Sequence, residues 1–237
     1  MKYLAICFFL LAPIIGRGQT DISFGAGIGT YLMGDLKTYL SYTKANQFPP
    51  DARITSSFPP YWFYDLKVKT ILGNNILLGG VLSIGSTGGR VFYSDYSATM
   101  DYNELIGYTS LAVSVGYQMK LRNNYTLQWD LMPGVMFTEL EMDATTPMKY
   151  TVNRSEIKFD AWNYYIQPTA TITKRFGVIG VFASAGIHIT AVPGKLKLKS
   201  DNNLFLLQAY TNKPAHADWS GIRVNAGVTL FLKRIKK

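Results

Sequence analysis

Along most of the chain after residue 18, apolar and polar residues alternate with a period of two, as in a β-strand whose two faces differ. The clearest stretches are residues 22–28, 62–68 and 222–230, where every second side chain is apolar. Eight such stretches are predicted, and together they occupy most of the sequence. This pattern is typical of an all-β protein that forms a small transmembrane β-barrel, with one strand face toward lipid and the other toward the lumen.

Short turns join the predicted strands in pairs. Gly-Asn-Asn at 73–75 and Arg-Asn-Asn at 122–124 consist of residues that tolerate the positive φ of tight hairpins, and a third turn is predicted around 175–177. Long polar connections separate the pairs, roughly at 34–60, 94–103, 139–160 and 193–218. We therefore predict an eight-stranded antiparallel up-and-down barrel, with short turns at one end and long loops at the other.

Charged residues indicate which strand face points inward. Asp65, Lys67 and Lys69 lie on one face of the second predicted strand, and a lysine facing lipid near the membrane midplane costs about 2–4 kcal/mol. We therefore place them in the lumen, and the same phase argument places Asp130 and Arg223 there. Eight strands enclose a space that side chains can fill, so these residues are predicted to form a charge-paired packing network. The alternative is a path for protons or a small ligand that begins at Asp65 and Lys67.

Aromatic residues are predicted to form two girdles at the membrane interfaces. The residues assigned to the long-loop end are Tyr31, Trp62, Phe92, Tyr93, Phe137, Trp162 and Trp219. Those assigned to the short-turn end are Tyr117, Tyr125, Phe176 and Phe231. Pro133 and Pro168 are unusual inside strands because each removes a ladder donor, and we predict that they mark bulges.

The N-terminal segment predicts export. Lys2 precedes an apolar run at 4–15, and Gly16-Arg17-Gly18 supplies small residues where a signal peptidase cleaves. The run is shorter than the roughly 20 apolar residues of a membrane-spanning helix, so we interpret 1–18 as a cleaved signal peptide and 19–237 as one barrel domain. The single cysteine, Cys7, would leave with this segment, so no disulfide is expected in the mature chain.

Net charge adds one candidate contact surface. The formal charge of the chain is +9, and the mature domain keeps +7 once Lys2 and Arg17 are removed, which favours contact with anionic lipid head groups. In an extended segment, Lys195, Lys197 and Lys199 would lie on one side, where they could contact lipopolysaccharide phosphates. The alternative is a solvated extension of a strand beyond the membrane.

With its signal peptide, its two Asn-Asn turns and strands such as 21–29, the whole mature chain resembles small eight-stranded outer-membrane barrels, of the OmpX type or the PorT-like β-barrel family. It departs from them at its end, which is Phe-Leu-Lys-Arg-Ile-Lys-Lys rather than a terminal aromatic residue. The resemblance implies an integral protein of the Gram-negative outer membrane, with both termini in the periplasm and the long loops outside. The implied role is non-enzymatic: the barrel anchors loops that bind a surface ligand or partner protein, either alone or within a hetero-complex. Two alternatives are an accessory subunit of a secretion or envelope-assembly complex, and a lipid A-modifying enzyme.

Candidate catalytic residues are few because the chain has two histidines. His188 begins a His-x-Thr sequence similar to the His-x-Ser of lipid A deacylase barrels, but its strand phase turns it inward. His216, Asp218 and Ser220 would share one face of an extended segment, compatible with a base, an orienting acid and a nucleophile, or with an ordinary polar loop. No spacing for a metal site, a cofactor or a nucleic-acid partner is found, and Gly-Ala-Gly-Ile-Gly at 25–29 lacks the helix that a nucleotide loop requires.

Overall fold

The computed structural model describes residues 19–72, 75–96, 99–148 and 151–232, so the predicted signal peptide lies outside the described residues. The elements in chain order are β1 (Gln19–Gly29), α1 (Gly34–Gln47), β2 (Arg53–Ser57), β3 (Tyr61–Leu72), β4 (Ile76–Ser94), β5 (Thr99–Lys120), β6 (Tyr125–Met148), β7 (Thr151–Phe176), β8 (Ile179–Val192), β9 (Lys197–Leu198), β10 (Asp201–Phe205) and β11 (Gly221–Leu232).

Eight strands close into a ring. The order is β1, β3, β4, β5, β6, β7, β8 and β11, and every neighbouring pair is antiparallel. Strand β1 closes the ring by pairing with β3 on one side and with β11 on the other. Closure gives the strands backbone partners on both sides, as a sheet in lipid requires. The predicted eight-stranded antiparallel transmembrane β-barrel is confirmed.

The short turns adopt the predicted backbone. Asn75, Asn123 and Asn124 have φ values of 68°, 58° and 63°, and Gly177 has a φ of 69°. Asparagine and glycine reach this left-handed region at lower cost than other residues. The turns after β3, β5 and β7 each join two consecutive antiparallel strands. They therefore lie at one end of the barrel, as predicted.

The strand faces also agree with the predicted phase. On β3, the side chains of Phe63, Asp65 and Lys67 are buried, whereas those of Trp62 and Leu66 are 62% and 40% exposed. The outward band is built from apolar residues on all eight ring strands, such as Phe24, Ile84, Val113, Leu131, Ile166, Val181 and Val224. Polar residues inside and apolar residues outside are the reverse of a soluble barrel.

Three of the predicted girdle residues are buried in the barrel, and a fourth, Tyr93, packs against the buried core from β4. Tyr31, Trp219 and Phe231 are buried inside the barrel, because each has the same strand parity as the inward-facing residues of its segment. Trp219 is in phase with Arg223, and both side chains point inward. Trp62 and Trp162 are exposed on the outer wall, as predicted for the girdle at the long-loop end.

The predicted long loops contain more regular structure than expected. Strands β4 to β7 continue well beyond the ring, so the segments 94–103 and 139–160 are largely strand rather than loop. The extensions are stabilised because Tyr102, Leu140 and Met142 are buried on their inner face. Segment 34–60 contains α1 and β2, and segment 193–218 contains β9 and β10. We call α1 together with residues 193–218 the cap. No helix in the described part of the chain is long and apolar enough to cross a membrane.

The two strand prolines do not produce bulges. Pro133 pairs with Ile166 and Pro168 pairs with Leu131, and the registers on both sides of these positions are unshifted. The only shift between β7 and β8 lies at Tyr164 and Tyr165. A missing proline donor therefore weakens the ladder locally without an inserted residue.

Candidate functional site

The lower lumen, toward the short turns, contains two buried ion pairs. Lys69 Nζ lies 2.6 Å from Asp130 Oδ2, and the Ser114 hydroxyl donates to Asp130 Oδ1 at 3.1 Å. Lys67 Nζ lies 3.4 Å from Asp65 Oδ2. All four charged side chains are at most 7% exposed, so each charge depends on its partner for stabilisation.

Arg223 lies in an aromatic cage rather than among these lysine–aspartate pairs. Its guanidinium carbon is 5.0 Å from the ring centroid of Tyr108, 5.4 Å from that of Phe63 and 5.6 Å from that of Tyr61. Arg223 Nη1 donates to Gln167 Oε1 at 3.3 Å. Stacking on aromatic faces suits a planar guanidinium that has few polar partners.

Trp219 seals the lumen above this cage. Its side chain is fully buried, and its indole Nε1 donates to Thr138 Oγ1 at 3.1 Å. Its ring contacts those of Tyr108, Tyr61 and Tyr31, at centroid distances of 4.7, 5.3 and 5.6 Å. We call these four aromatic residues the plug.

The other end of the lumen is also filled. A cavity of about 20 Å³ lies beside Lys67 and Lys69 and is bounded by Phe182 and Phe231. This volume has room for about one water molecule. Together with the plug, this packing leaves no wide channel through the described part of the lumen.

Both histidines have structural partners. His188 is buried in the lumen, stacks on Tyr165 at a centroid distance of 4.3 Å, and its Nδ1 lies 3.1 Å from Gln167 Oε1. His216 belongs to the cap, where its Nδ1 lies 3.5 Å from Asp35 Oδ2 and its backbone N–H donates to the same oxygen at 3.0 Å.

The structure does not join His216, Asp218 and Ser220 into a catalytic arrangement. They share one face of an extended segment, opposite the buried Ala215, Ala217 and Trp219. Asp218 Oδ1 accepts the backbone N–H of Ser220 at 2.9 Å, and the Ser220 hydroxyl accepts the backbone N–H of Thr190 at 3.0 Å. Among the described residues, no hydrogen bond connects His216 to the other two. His216, Asp218 and Ser220 therefore each have a partner that stabilises the segment leading into β11.

The three lysines of 195–199 are exposed on one side, with Leu196 buried between them. Lys197 pairs in register with Asp160, just beyond the exposed Trp162. The ammonium groups of Lys195 and Lys197 each lie 5.9 Å from the ring centroid of Phe205, whereas Lys199 Nζ lies 2.9 Å from Glu139 Oε1. Lys195 and Lys197 therefore form a basic aromatic patch at the outer wall.

Helix α1 is held to the barrel by apolar contacts, and to the rest of the cap by polar and aromatic contacts. Leu36 and Leu40 are fully buried, and Asp35 Oδ2 accepts a hydrogen bond from Gln208 Nε2 at 3.0 Å. The ring of Tyr42 meets that of Tyr210 edge to face at 5.4 Å. The helix thus connects the barrel mouth to a hairpin at 207–214, which the bridge between Leu207 and Pro214 closes.

A buried carboxyl group lies beneath α1. Glu104 is on the loop side of Gly107 in β5 and is 1% exposed, and the Tyr102 hydroxyl is a polar neighbour of its carboxyl group. Burial raises the pKa of Glu104 from 4.5 to about 8. The group is therefore neutral below this value, which lowers the free-energy cost of burying it.

This raised pKa predicts that the cap opens more easily as pH rises. Between about pH 4.5 and 8, a cap that exposes Glu104 binds fewer protons than the closed cap. The free energy that favours closure therefore falls by up to about 1.4 kcal/mol per pH unit in this range, and it no longer changes above about pH 8. Hydrogen exchange of α1 amides, corrected for intrinsic rates, should show a loss of about 2 kcal/mol between pH 6 and 8. Glu104→Gln should abolish this dependence, and Asp51→Asn, at an exposed acid, should keep it. Equal pH dependence in the wild type and Glu104→Gln would contradict the assignment.

The described residues include one group of three acids close enough to hold a metal ion. Oxygens of Glu141, Asp143 and Glu156 lie within 4.8 Å of one another on the outer wall. Lys158 Nζ lies 2.7 Å from Glu156 and 3.4 Å from Glu141. The lysine already neutralises part of this charge, so the cluster is best explained as an ion-pair network.

Comparison with known proteins agrees with the barrel geometry. No protein-family model and no curated protein matches the sequence. A major outer-membrane protein from Thermus thermophilus aligns over 90% of this chain and 99% of its own, with 11% identity and a TM-score of 0.50. The fold is that of an outer-membrane β-barrel. Ail, the attachment invasion locus protein of Yersinia pestis, aligns over 91% of this chain and 99% of its own, with 10% identity and a TM-score of 0.39.

Proposed function

We propose that the chain is an integral, non-enzymatic outer-membrane protein whose closed barrel anchors a cap that binds a partner or surface ligand. The observation that carries this proposal is the plug of Trp219, Tyr31, Tyr61 and Tyr108, which fills the lumen directly beneath an ordered cap. A filled lumen favours an anchor over a pore. The partners of His216 and Ser220 favour a structural role over lipid chemistry.

Exposed apolar side chains at the tip of the cap support contact with a protein. Leu207 and Tyr210 on the 207–214 hairpin are 48% and 72% exposed, and Leu204 nearby is 54% exposed. Apolar groups that protrude together from a polar surface often mark interaction sites. This favours, as a second candidate role, an accessory subunit of a secretion or envelope-assembly complex.

We also propose that Lys195 and Lys197 contact anionic groups of lipopolysaccharide. Their position just beyond the girdle residue Trp162, beside Phe205, supports a location at the level of the head groups. Lys199 is a weaker candidate because it pairs with Glu139.

Site-specific crosslinking tests the partner proposal. A photoreactive benzophenone amino acid in place of Tyr210 should give a discrete protein adduct in intact cells. The same group at Asn123, in a short turn at the opposite end, is the matched control and should not give that adduct. If position 210 crosslinks only to lipid, or gives the adduct found at position 123, the cap does not bind a partner.

The proposed orientation places the cap outside the cell and both termini in the periplasm. Protease added to intact cells should then cleave within 34–60 or 193–218, and exposed Lys199, in the turn between β9 and β10, gives trypsin a defined position in the cap. Mass spectrometry of the fragments would identify the cut. Cleavage confined to the turn at 73–75 would reverse the orientation.

A further inference from the structure

The short-turn end of the barrel carries a cluster of four basic residues. Lys120 ends β5, Arg122 lies in the turn that follows, and Lys174 and Arg175 come just before the last residue of β7. The turn and β7 are neighbours, because the backbone N–H of Arg175 donates to the carbonyl of Asn124 at 3.0 Å. We call Lys120, Arg122, Lys174 and Arg175 the basic rim.

Lys174 faces the outer wall of the barrel rather than the lumen. It follows Thr173, which is buried in the lumen, and it has the strand parity of Ile172 and Phe176, which are 44% and 58% exposed. Its ammonium group lies 5.1 Å from the ring centroid of Tyr125 and 5.4 Å from that of Phe176. Aromatic residues at the ends of transmembrane strands mark the level of the lipid head groups. A cation held between two such rings is therefore within reach of a lipid phosphate.

Acids of the same chain do not neutralise the basic rim. In the part of the chain that the structure describes, no carboxylate forms an ion pair with Lys120, Arg122 or Lys174. All fifteen acids of the chain lie in that part, and they belong either to the lumen or to the long-loop side. Arg175 is less available, because its Nε donates to the Gly177 carbonyl at 2.7 Å. Three cations of the basic rim can therefore bind an anion without breaking an ion pair.

We propose that the basic rim binds the phosphate of an anionic phospholipid. The acyl chains of this lipid pack on apolar residues of the outer wall next to the rim, such as Ile172 and Trp129, which are 44% and 55% exposed. The proposal rests on the membrane location of the barrel but not on any partner of the cap. In the proposed orientation, the lipid belongs to the periplasmic leaflet.

The charge and the position of the rim select this occupant. Three unpaired cations attract a net negative head group, whereas the ammonium of a zwitterionic amine lipid would meet charges of its own sign. A lipid is favoured over an acidic protein because Lys174 lies on the outward face of a strand, between two residues of the predicted girdle. At that position the surroundings of a barrel are lipid.

Lipid retention measured by native mass spectrometry tests the site. The protein is reconstituted in nanodiscs of phosphatidylethanolamine and phosphatidylglycerol in equal amounts, released, and weighed. The wild type should retain phosphatidylglycerol in preference to phosphatidylethanolamine. Lys174→Gln should lower this preference about fivefold, the loss expected for one basic residue at an anionic membrane surface. Lys174→Arg keeps the charge and should keep the preference.

Lys213→Gln is the matched control, because it removes the same charge from an exposed position in the cap, at the opposite end. Its preference for phosphatidylglycerol should equal that of the wild type. The double variant Lys120→Gln/Arg122→Gln removes the two exposed cations beside the turn and should also lower the preference. Heat-dependent gel mobility checks that each variant has folded.

Crosslinking in intact cells identifies the lipid. Leu121 is 45% exposed, and its backbone N–H donates to the carbonyl of Tyr125, so it lies next to the rim. A photoreactive benzophenone amino acid at position 121 should give an adduct with the mass of a phospholipid. An adduct with lipopolysaccharide would assign the rim to the other leaflet, and a protein adduct would assign it to a protein partner.

Three further results would overturn the proposal. They are equal retention of both phospholipids by the wild type, an equal change of preference in Lys174→Gln and Lys213→Gln, and a loss of preference in Lys174→Arg as large as in Lys174→Gln. These outcomes are distinct from crosslinking at position 210, so the lipid site and the partner of the cap can each fail alone.

Discussion

Replacing Asp130 with asparagine should destabilise the barrel by about 3–5 kcal/mol, because the substitution leaves the ammonium of Lys69 buried without a counter-charge. The lost contact is the 2.6 Å pair between Lys69 Nζ and Asp130 Oδ2, in which both side chains are at most 7% exposed. Urea-induced unfolding in lipid vesicles, followed by tryptophan fluorescence, measures the change. Asp101→Asn is the matched control, since it breaks the solvent-exposed pair with Arg90 and should cost less than about 1 kcal/mol.

The double variant Lys69→Met/Asp130→Leu separates the cost of an unpaired charge from the value of the pair. Because apolar replacement of a buried ion pair is often neutral, the double variant should recover most of the stability that Asp130→Asn loses. If Asp130→Asn costs no more than Asp101→Asn, the lumen is wet enough to solvate Lys69 and the packing interpretation is wrong.

The sequence predicted the face of these charges but not their partners. A lysine that faces lipid is costly in a barrel of any size, so Lys69 must point inward. The alternation of the strand was therefore sufficient to predict its face. Lys69 and Asp130 belong to β3 and β6, which are not neighbours in the sheet, and their pair spans the lumen. That distance depends on strand tilt and stagger, which a pattern of alternation does not encode.

For Trp219, the preference of tryptophan for a membrane interface and the alternation of the strand gave opposite predictions. A tryptophan near a strand end gains from a membrane interface, which predicted a place in the girdle. Its parity with Arg223 pointed inward, and the structure follows parity, because the extended segment before β11 keeps the alternation of that strand. Strand phase was the stronger signal.

The cap was largely beyond prediction. Helix α1 contains Leu36, Leu40 and Thr43 at helical spacing, but polar residues dominate its sequence. The helix is stabilised by docking on the barrel mouth rather than by its own periodicity. Glu104 carried even less signal, because an acid in a polar stretch is normally solvated and only the docked helix makes it buried.

Replacing Trp219 with alanine should open the plug and lower the stability of the cap by about 3–5 kcal/mol, the range for removing a large buried aromatic side chain. The ring leaves a cavity between Tyr31, Tyr61 and Tyr108, and the Thr138 hydroxyl loses its indole donor. Trp219→Phe should cost less, since it keeps part of the ring packing and loses a hydrogen bond worth about 1 kcal/mol.

Limited trypsin digestion of the reconstituted protein measures this effect, because the bonds after Lys37 and Lys44 lie inside α1 and are cut only when this part of the cap opens. Trp219→Ala should be cleaved there much faster than the wild type, while the ring of eight strands keeps its heat-dependent gel mobility. Trp62→Ala removes the same side chain from an outward position that is 62% exposed, and its cap should resist cleavage as the wild type does. Equal protection of the cap in Trp219→Ala and Trp62→Ala would mean that the cap closes independently of the plug. Faster cleavage in Trp219→Ala alone would establish that the packing that fills the lumen also holds the cap, the proposed binding surface, in place.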